Sequence, residues 1–212
     1  MTARDSQTHL KIGVLLSGEG TSLENLAECI DGGGVPAEIV VVVASKSGSG
    51  GLERARRRGI PAVAVPRTQH PDVGTFNDAL HAVLEEHGAD FVALLGFLSP
   101  FETRGRFDAR TINVHPALIP AFCGKGFYGG RVHEAVLEAG VKVTGATVHF
   151  VDAQYDHGPI ILQEAVPVRD DDTPDTLAER VRAAERRLVP EAIRLFAAGC
   201  LRIDDGRVRI KP

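Results

Sequence analysis

The sequence predicts an α/β fold: a mostly parallel central sheet with helices on both faces and an antiparallel C-terminal part. Three observations carry this. Short apolar, β-branched runs alternate with helical stripes through about the first hundred residues. The strand at residues 39–44 shows no inside–outside alternation, as expected where both faces are covered. Later in the chain two long strand patterns are separated only by a polar loop, as antiparallel neighbours are.

Taken in order, residues 11–16 form a short apolar run that reads as a buried strand. Ser17-Gly18-Glu19-Gly20-Thr21 follows as a tight turn. Leu23, Leu26, Ala27 and Ile30 then recur at helical spacing, with Thr21 and Glu24 as a capping box and Gly32-Gly33-Gly34 as the stop. A strand at 39–44, a helix at 52–58 ending at Gly59 and a strand at 62–65 come next. Thr75 is placed to cap a helix whose Phe76, Leu80, Val83 and Leu84 share one side, and residues 91–95 give a fourth strand. After it, Ile112-Asn113-Val114-His115-Pro116 is extended chain that Pro116, having no N–H, brings to an end. Val132, Ala135, Val136 and Ala139 form a helical stripe. Residues 144–151 and 160–168 are strands around a polar loop at 152–159. Thr173-Pro174 opens a long helix through Leu177, Val181, Ala184 and Leu188, which Pro190 should kink or restart. Residues 201–203 and 208–210 make a terminal hairpin. The organisation expected is a polar tail at 1–10, a phosphate-binding half at 11–100, a second half at 101–200 on the same sheet, and the hairpin at 201–212.

The 212 residues are 43% hydrophobic and 25% charged, enough for a packed core in one domain. Net charge is −4 without a basic block, and tryptophan is absent. Those features argue against nucleic acid as a partner. Residues 1–9 lack the apolar core of a signal peptide, and no run reaches the roughly 18 apolar residues of a membrane span. A soluble cytoplasmic protein, monomer or homodimer, with small-molecule partners is expected. Cys29, Cys123 and Cys200 are too few and too scattered for a disulfide framework and are read as free thiols. His115, His133 and His149 lie on separate elements without ligand spacing, so no metal is expected.

Two places invite chemistry. Asn113 and His115, two apart in extended chain, point to one face at a strand end, where open α/β sheets usually place their sites. A hydrogen-bonded histidine at a polar strand end is the plain alternative. Gly18-x-Gly20-Thr21-Ser22 sits between a strand and a helix, so backbone N–H groups, the helix dipole and two hydroxyls converge there. Leu23 stands where a dinucleotide turn wants a third glycine, and no P-loop is present. The turn therefore suits one phosphate monoester, or is a bare structural turn. His149, alternating along a strand, is read as support for the site. His133 either touches substrate or caps carbonyls, and Lys125 either steers a phosphate or is solvated.

The order of motifs resembles the folate-dependent phosphoribosylglycinamide formyltransferases. The residues that carry this are Leu16-Ser17-Gly18-x-Gly20-Thr21-Ser22, Gly51-Leu52-Glu53-Arg54-Ala55 and Leu95-Gly96-Phe97. They continue through Asn113-Val114-His115-Pro116-Ala117-Leu118-Ile119-Pro120, Gly145-Ala146-Thr147-Val148-His149-Phe150-Val151-Asp152 and Asp156-x-Gly158-Pro159. The resemblance implies a Rossmann-like formyltransferase fold and 10-formyltetrahydrofolate as co-substrate, with no metal. It implies Asn113, His115 and Asp156 as catalytic residues, with Asp156 raising the pKa of His115. It implies that Gly18, Gly20, Thr21, Ser22, Gly96, Pro116 and Glu185 hold the ribonucleotide. Phe97, Leu98, Asn113, Val151, Asp152 and Tyr155 would meet the folate. The sequence departs from the family in three places. The segment Phe97-Leu98-Ser99-Pro100 is compressed. Ser22 stands where Asn is common. Position 73 is Val where relatives carry a base, with Arg67 left open as its substitute. Formyltetrahydrofolate deformylase is the runner-up; it normally carries an N-terminal regulatory domain, whereas about ten residues precede the first strand here. Methionyl-tRNA formyltransferase would want a basic C-terminal module.

Overall fold

The computed structural model describes residues 9–211; residues 1–8 of the expected polar tail lie outside the described residues. Five strands form the parallel part: β1 (Leu10–Leu16), β2 (Ala37–Ala44), β3 (Ala62–Ala64), β4 (Phe91–Leu94) and β5 (Thr111–His115). Two more, β6 (Val143–Phe150) and β7 (Ile160–Pro167), add on antiparallel. The sheet order is β3-β2-β1-β4-β5-β6-β7, so the chain reverses its direction of growth across β1 and β4. Sites in open α/β sheets gather at such a reversal, beyond the carboxyl ends of the strands.

Helices α1 (Thr21–Asp31), α2 (Gly50–Arg57), α4 (Gly130–Glu138) and α5 (Pro174–Ala197) cover one face, and α3 (Val73–Glu86) covers the other. Each face has its own core. Leu23, Leu26, Val136, Val181, Ala184 and Ile193 pack on Ile12, Val14, Ala146 and Val148. Phe76, Leu80 and Leu84, one helical turn apart on α3, pack on Leu15, Val41, Val43 and Val92. Strands β8 (Leu201–Asp204) and β9 (Arg207–Ile210) pair as a separate two-stranded sheet. No helix among the described residues is long and apolar enough to cross a membrane.

Three local expectations are corrected. Thr21 does not cap α1: Gly20, at φ 75°, is the N-cap and makes no side-chain cap bond, while Glu24 pairs with Arg58 at 2.5 Å. The left-handed backbone at Gly20 turns the chain one residue too early for Thr21 to reach back. Thr75 does not cap α3 either. Asp72 does, accepting from the Thr75 N–H at 2.7 Å. Pro190 neither breaks nor restarts α5, which runs through it. Without an N–H, Pro190 leaves the Arg186 carbonyl unserved. The Asn25 side chain of α1 donates to that oxygen at 2.9 Å and so repairs the ladder from outside the helix.

Candidate active site

The site begins with strand register. β5 lies between β4 and β6, with Asn113 opposite Leu94 on one side and opposite His149 on the other. Asn113 and His115 therefore share a face, and His149 joins them across the antiparallel pair. The loop after β6 returns Asp156 to the same point. It can do so because Phe150 N–H donates to the Pro159 carbonyl at 2.9 Å, closing the loop, and because position 158 is glycine. A Cβ there would lie 1.9 Å from the Phe150 oxygen. Asp156 itself takes a left-handed backbone, φ 54°.

The four side chains form one network. The Asn113 amide nitrogen donates to Asp156 Oδ1 at 3.2 Å and to His149 Nε2 at 3.2 Å. His149 Nδ1 donates to its neighbouring Phe150 carbonyl at 2.8 Å, which leaves Nε2 as the acceptor. The Gly124 N–H donates to Asp156 Oδ2 at 2.9 Å, and His115 Nδ1 lies 3.5 Å from the same oxygen. His115 Nε2 donates to the Phe122 carbonyl at 2.8 Å, so a proton on Nδ1 makes the ring an imidazolium. Burial pushes the His115 pKa below its ordinary value, against the pull of Asp156. This reverses the expectation of a raised pKa: the carboxylate favours the charged ring, but desolvation outweighs it. Asp156 sits below the usual carboxylate range. Burial, its largest influence, opposes that, but the nearby His149 and His115 rings and the Gly124 N–H together prevail.

This network opens into a cleft of about 1080 Å³. At one end lie Gly18, Gly20, Thr21 and Ser22 at the start of α1, whose first N–H groups have no partner within the helix. Gly20 packs so closely on α2 that a Cβ would meet the Gly51 Cα at 2.7 Å. Gly96, at φ 70°, accepts from the Ser17 N–H at 3.1 Å and holds the β4 exit against the β1 exit; Pro116 lines the cleft beside His115. Glu185 reaches this end from α5, and burial pushes its carboxyl up to about 7 although Arg182 and Arg186 oppose the shift.

At the other end are Phe97, Leu98, Val151, Asp152 and Tyr155. Phe97 is buried and stacks on Phe76, whereas Leu98 and Tyr155 stand exposed at the mouth. Asp152 is occupied in shaping its loop, accepting from Gln154 N–H and His157 Nδ1, both at 2.8 Å. The compressed segment after Phe97 is tied to α3. Buried Asn77 donates to the Pro100 carbonyl at 3.3 Å and accepts from the Glu102 N–H at 2.8 Å.

Sequence reasoning did not find Arg182, which lines the cleft one turn before Glu185. The i, i+3 spacing of the two charges on a helix was the available signal. His133, left open between two roles, is buried against the cleft with an unpartnered Nδ1. Burial and then Arg182 hold its pKa down to about 4, so the ring is neutral. Lys125 lines the same cleft in a loop that is glycine at 124, 126, 129 and 130. Among the described residues no group of three or more acidic, His or Cys side chains is arranged to hold a metal.

A family model described as formyl transferase matches residues 10–193. The chain belongs to the formyl transferase family. It is 34% identical over 198 residues to phosphoribosylglycinamide formyltransferase of Haemophilus influenzae, covering 92% of this chain and 91% of that one. It is 42% identical over 200 residues to the trifunctional purine biosynthetic protein adenosine-3 of Gallus gallus, covering 92% of this chain but only 19% of that much longer one. The crystal structure of glycinamide ribonucleotide transformylase 1 from Symbiobacterium toebii superposes with a TM-score of 0.91 at 43% identity, covering 96% of this chain and 95% of that one.

Proposed function

We propose that this formyl transferase moves the formyl group of 10-formyltetrahydrofolate to the primary amine of N1-(5-phospho-D-ribosyl)glycinamide, giving the N-formyl product of purine biosynthesis. The observation that carries the reading is the meeting of Asn113, His115 and Asp156 in one cleft with the anion-ready start of α1. The phosphate binds Gly20, Thr21 and Ser22, with Arg182 adding charge and Glu185 accepting from the sugar hydroxyls. The pterin lies toward Phe97, Leu98, Val151, Asp152 and Tyr155. The enzyme acts in the cytoplasm on small molecules alone.

The amine attacks the formyl carbon, the C=O electrons move onto oxygen, and a tetrahedral oxyanion forms. Asn113 turns its amide from Asp156 and His149 toward that oxygen. His115 donates to the same oxygen once its ring has taken up, by way of Asp156, the proton that leaves the attacking nitrogen, and Asp156 offsets that charge until the proton moves on to N10. Such donors are each worth about 10²–10³ in rate. Asp156, held ionised, relays the proton leaving the amine to N10 of the folate as the C–N10 bond breaks. One proton passes from nucleophile to leaving nitrogen, and no covalent enzyme intermediate is needed. The assay compares formyl transfer to the ribonucleotide with formate release in its absence. Transfer that needs the ribonucleotide is the expected result; rapid formate release without it would make this chain a deformylase.

A further inference from the structure

One buried ring in the cleft wall has no part in the chemistry proposed above. His133 stands at the end of the first turn of α4 and is 4% exposed. Val136, one turn on, packs into the sheet core, and α4 lies against α5, so the ring has little room to turn away. Of its two nitrogens, Nδ1 is sealed off without a partner, and Nε2 is left to the cleft that the residue lines. Burial, then Arg182 and His115, all disfavour a charge on this ring, and its pKa is held down to about 4. A neutral imidazole carries one N–H and one lone pair. A sealed N–H without an acceptor is the rarer and costlier arrangement, so Nδ1 keeps the lone pair and the proton sits on Nε2. The cleft is thus offered one uncharged N–H donor at a fixed point near both Arg182 and His115.

What this donor serves follows from what its neighbours serve. In the proposed reaction the glycine turn and Arg182 take the phosphate, Glu185 takes the sugar hydroxyls, and Asn113 and His115 take the formyl oxygen. The ribonucleotide has one further strong acceptor, the carbonyl oxygen of its glycinamide arm, which lies between the sugar and the attacking amine. An uncharged donor suits that oxygen, whereas a phosphate so close would draw a second proton onto the ring. We propose that His133 Nε2–H donates to the glycinamide carbonyl and so aims the amine, two bonds from the carbonyl carbon, at the formyl group. This rests on the ribonucleotide reading of the cleft. It makes His133 a specificity residue, through which the cleft tells an α-amino amide from other primary amines of the same size.

The test compares the ribonucleotide with its thioamide, in which sulfur, a weaker acceptor, replaces the carbonyl oxygen. The parent should prefer oxygen by about three- to tenfold in kcat/KM, the worth of one neutral hydrogen bond. His133→Phe keeps a ring but no donor. It should lower kcat/KM for the ribonucleotide about 10- to 100-fold, prefer oxygen by less than about twofold, and leave KM for the folate within about twofold. His133→Gln keeps a donor and should recover the preference. Calorimetric binding of the two compounds to the parent reads the same contact without turnover and without any substitution. A parent that binds and uses both compounds alike, or a His133→Phe variant that prefers oxygen as strongly as the parent, would overturn the proposal and leave the ribonucleotide reading standing. A parent that binds neither compound would overturn both.

Discussion

His115 and Glu185 both sit in surroundings that push against their ordinary chemistry. His115 faces a carboxylate yet is held neutral by burial, and Asp156 is held ionised. Activity should therefore fall on the acid side, with the limb of kcat/KM below the ordinary histidine value of about 6.5. A pH–rate profile checks this; a limb above that value would contradict the burial argument. Asp156→Asn removes both the proton relay and the offset for His115, and should lower kcat by about 10²–10⁴-fold at neutral pH. Glu185 titrates at about 7, so KM for the ribonucleotide should change through that pH and become flat in Glu185→Gln. Its effect on stability has a definite sign. The folded pKa lies above the unfolded value of 4.5, so the folded state holds the proton more tightly. Stability from this group is full below about 4.5 and is lost as pH rises to about 7. Urea unfolding at pH 5 and pH 8 should show Glu185→Gln gaining on the parent at the higher pH, by about 3 kcal/mol at most.

At the scale of elements, the α1–α5 contact and the glycine turn each make a prediction. Asn25→Ala should cost about 1 kcal/mol by leaving the Arg186 carbonyl unserved. In a Pro190→Ala background the helix can serve that carbonyl itself, so the same change should cost less; a double-mutant cycle measures the difference. Gly20→Ala forces a side chain into left-handed backbone against Gly51 and should raise KM for the ribonucleotide more than that for folate. Steady-state kinetics on both substrates decide it. The strands and helices were legible because apolar spacing follows local geometry. The caps were not: Gly20, Thr21, Asp72 and Thr75 are all credible helix starters, and only the backbone angle shows which one turns. Asn113 and His115 were legible as a same-face pair on one strand. Asp156 was reached only through resemblance, because a loop's return path is not written in local pattern. Arg182 was missed and His133 left open for a similar reason. They meet the site through the docking of α4 and α5, which packing decides.

Across the whole molecule, β4 and β5 pair directly, so the stretches before and after residue 100 are joined through one sheet. Heat should therefore unfold them together. Calorimetry is expected to give one transition with calorimetric and van't Hoff enthalpies in agreement, and two resolved transitions would show the stretches to be separable. The distribution of rings in this body has a practical result. The chain contains no tryptophan and two tyrosines, Tyr128 and Tyr155, and both stand at the rim of the cleft. Excited at the long-wavelength edge of the tyrosine band, where its phenylalanines do not absorb, the protein thus emits from the mouth of the site, a lamp at the doorway that dims or brightens as ligands pass while the rest of the protein stays dark.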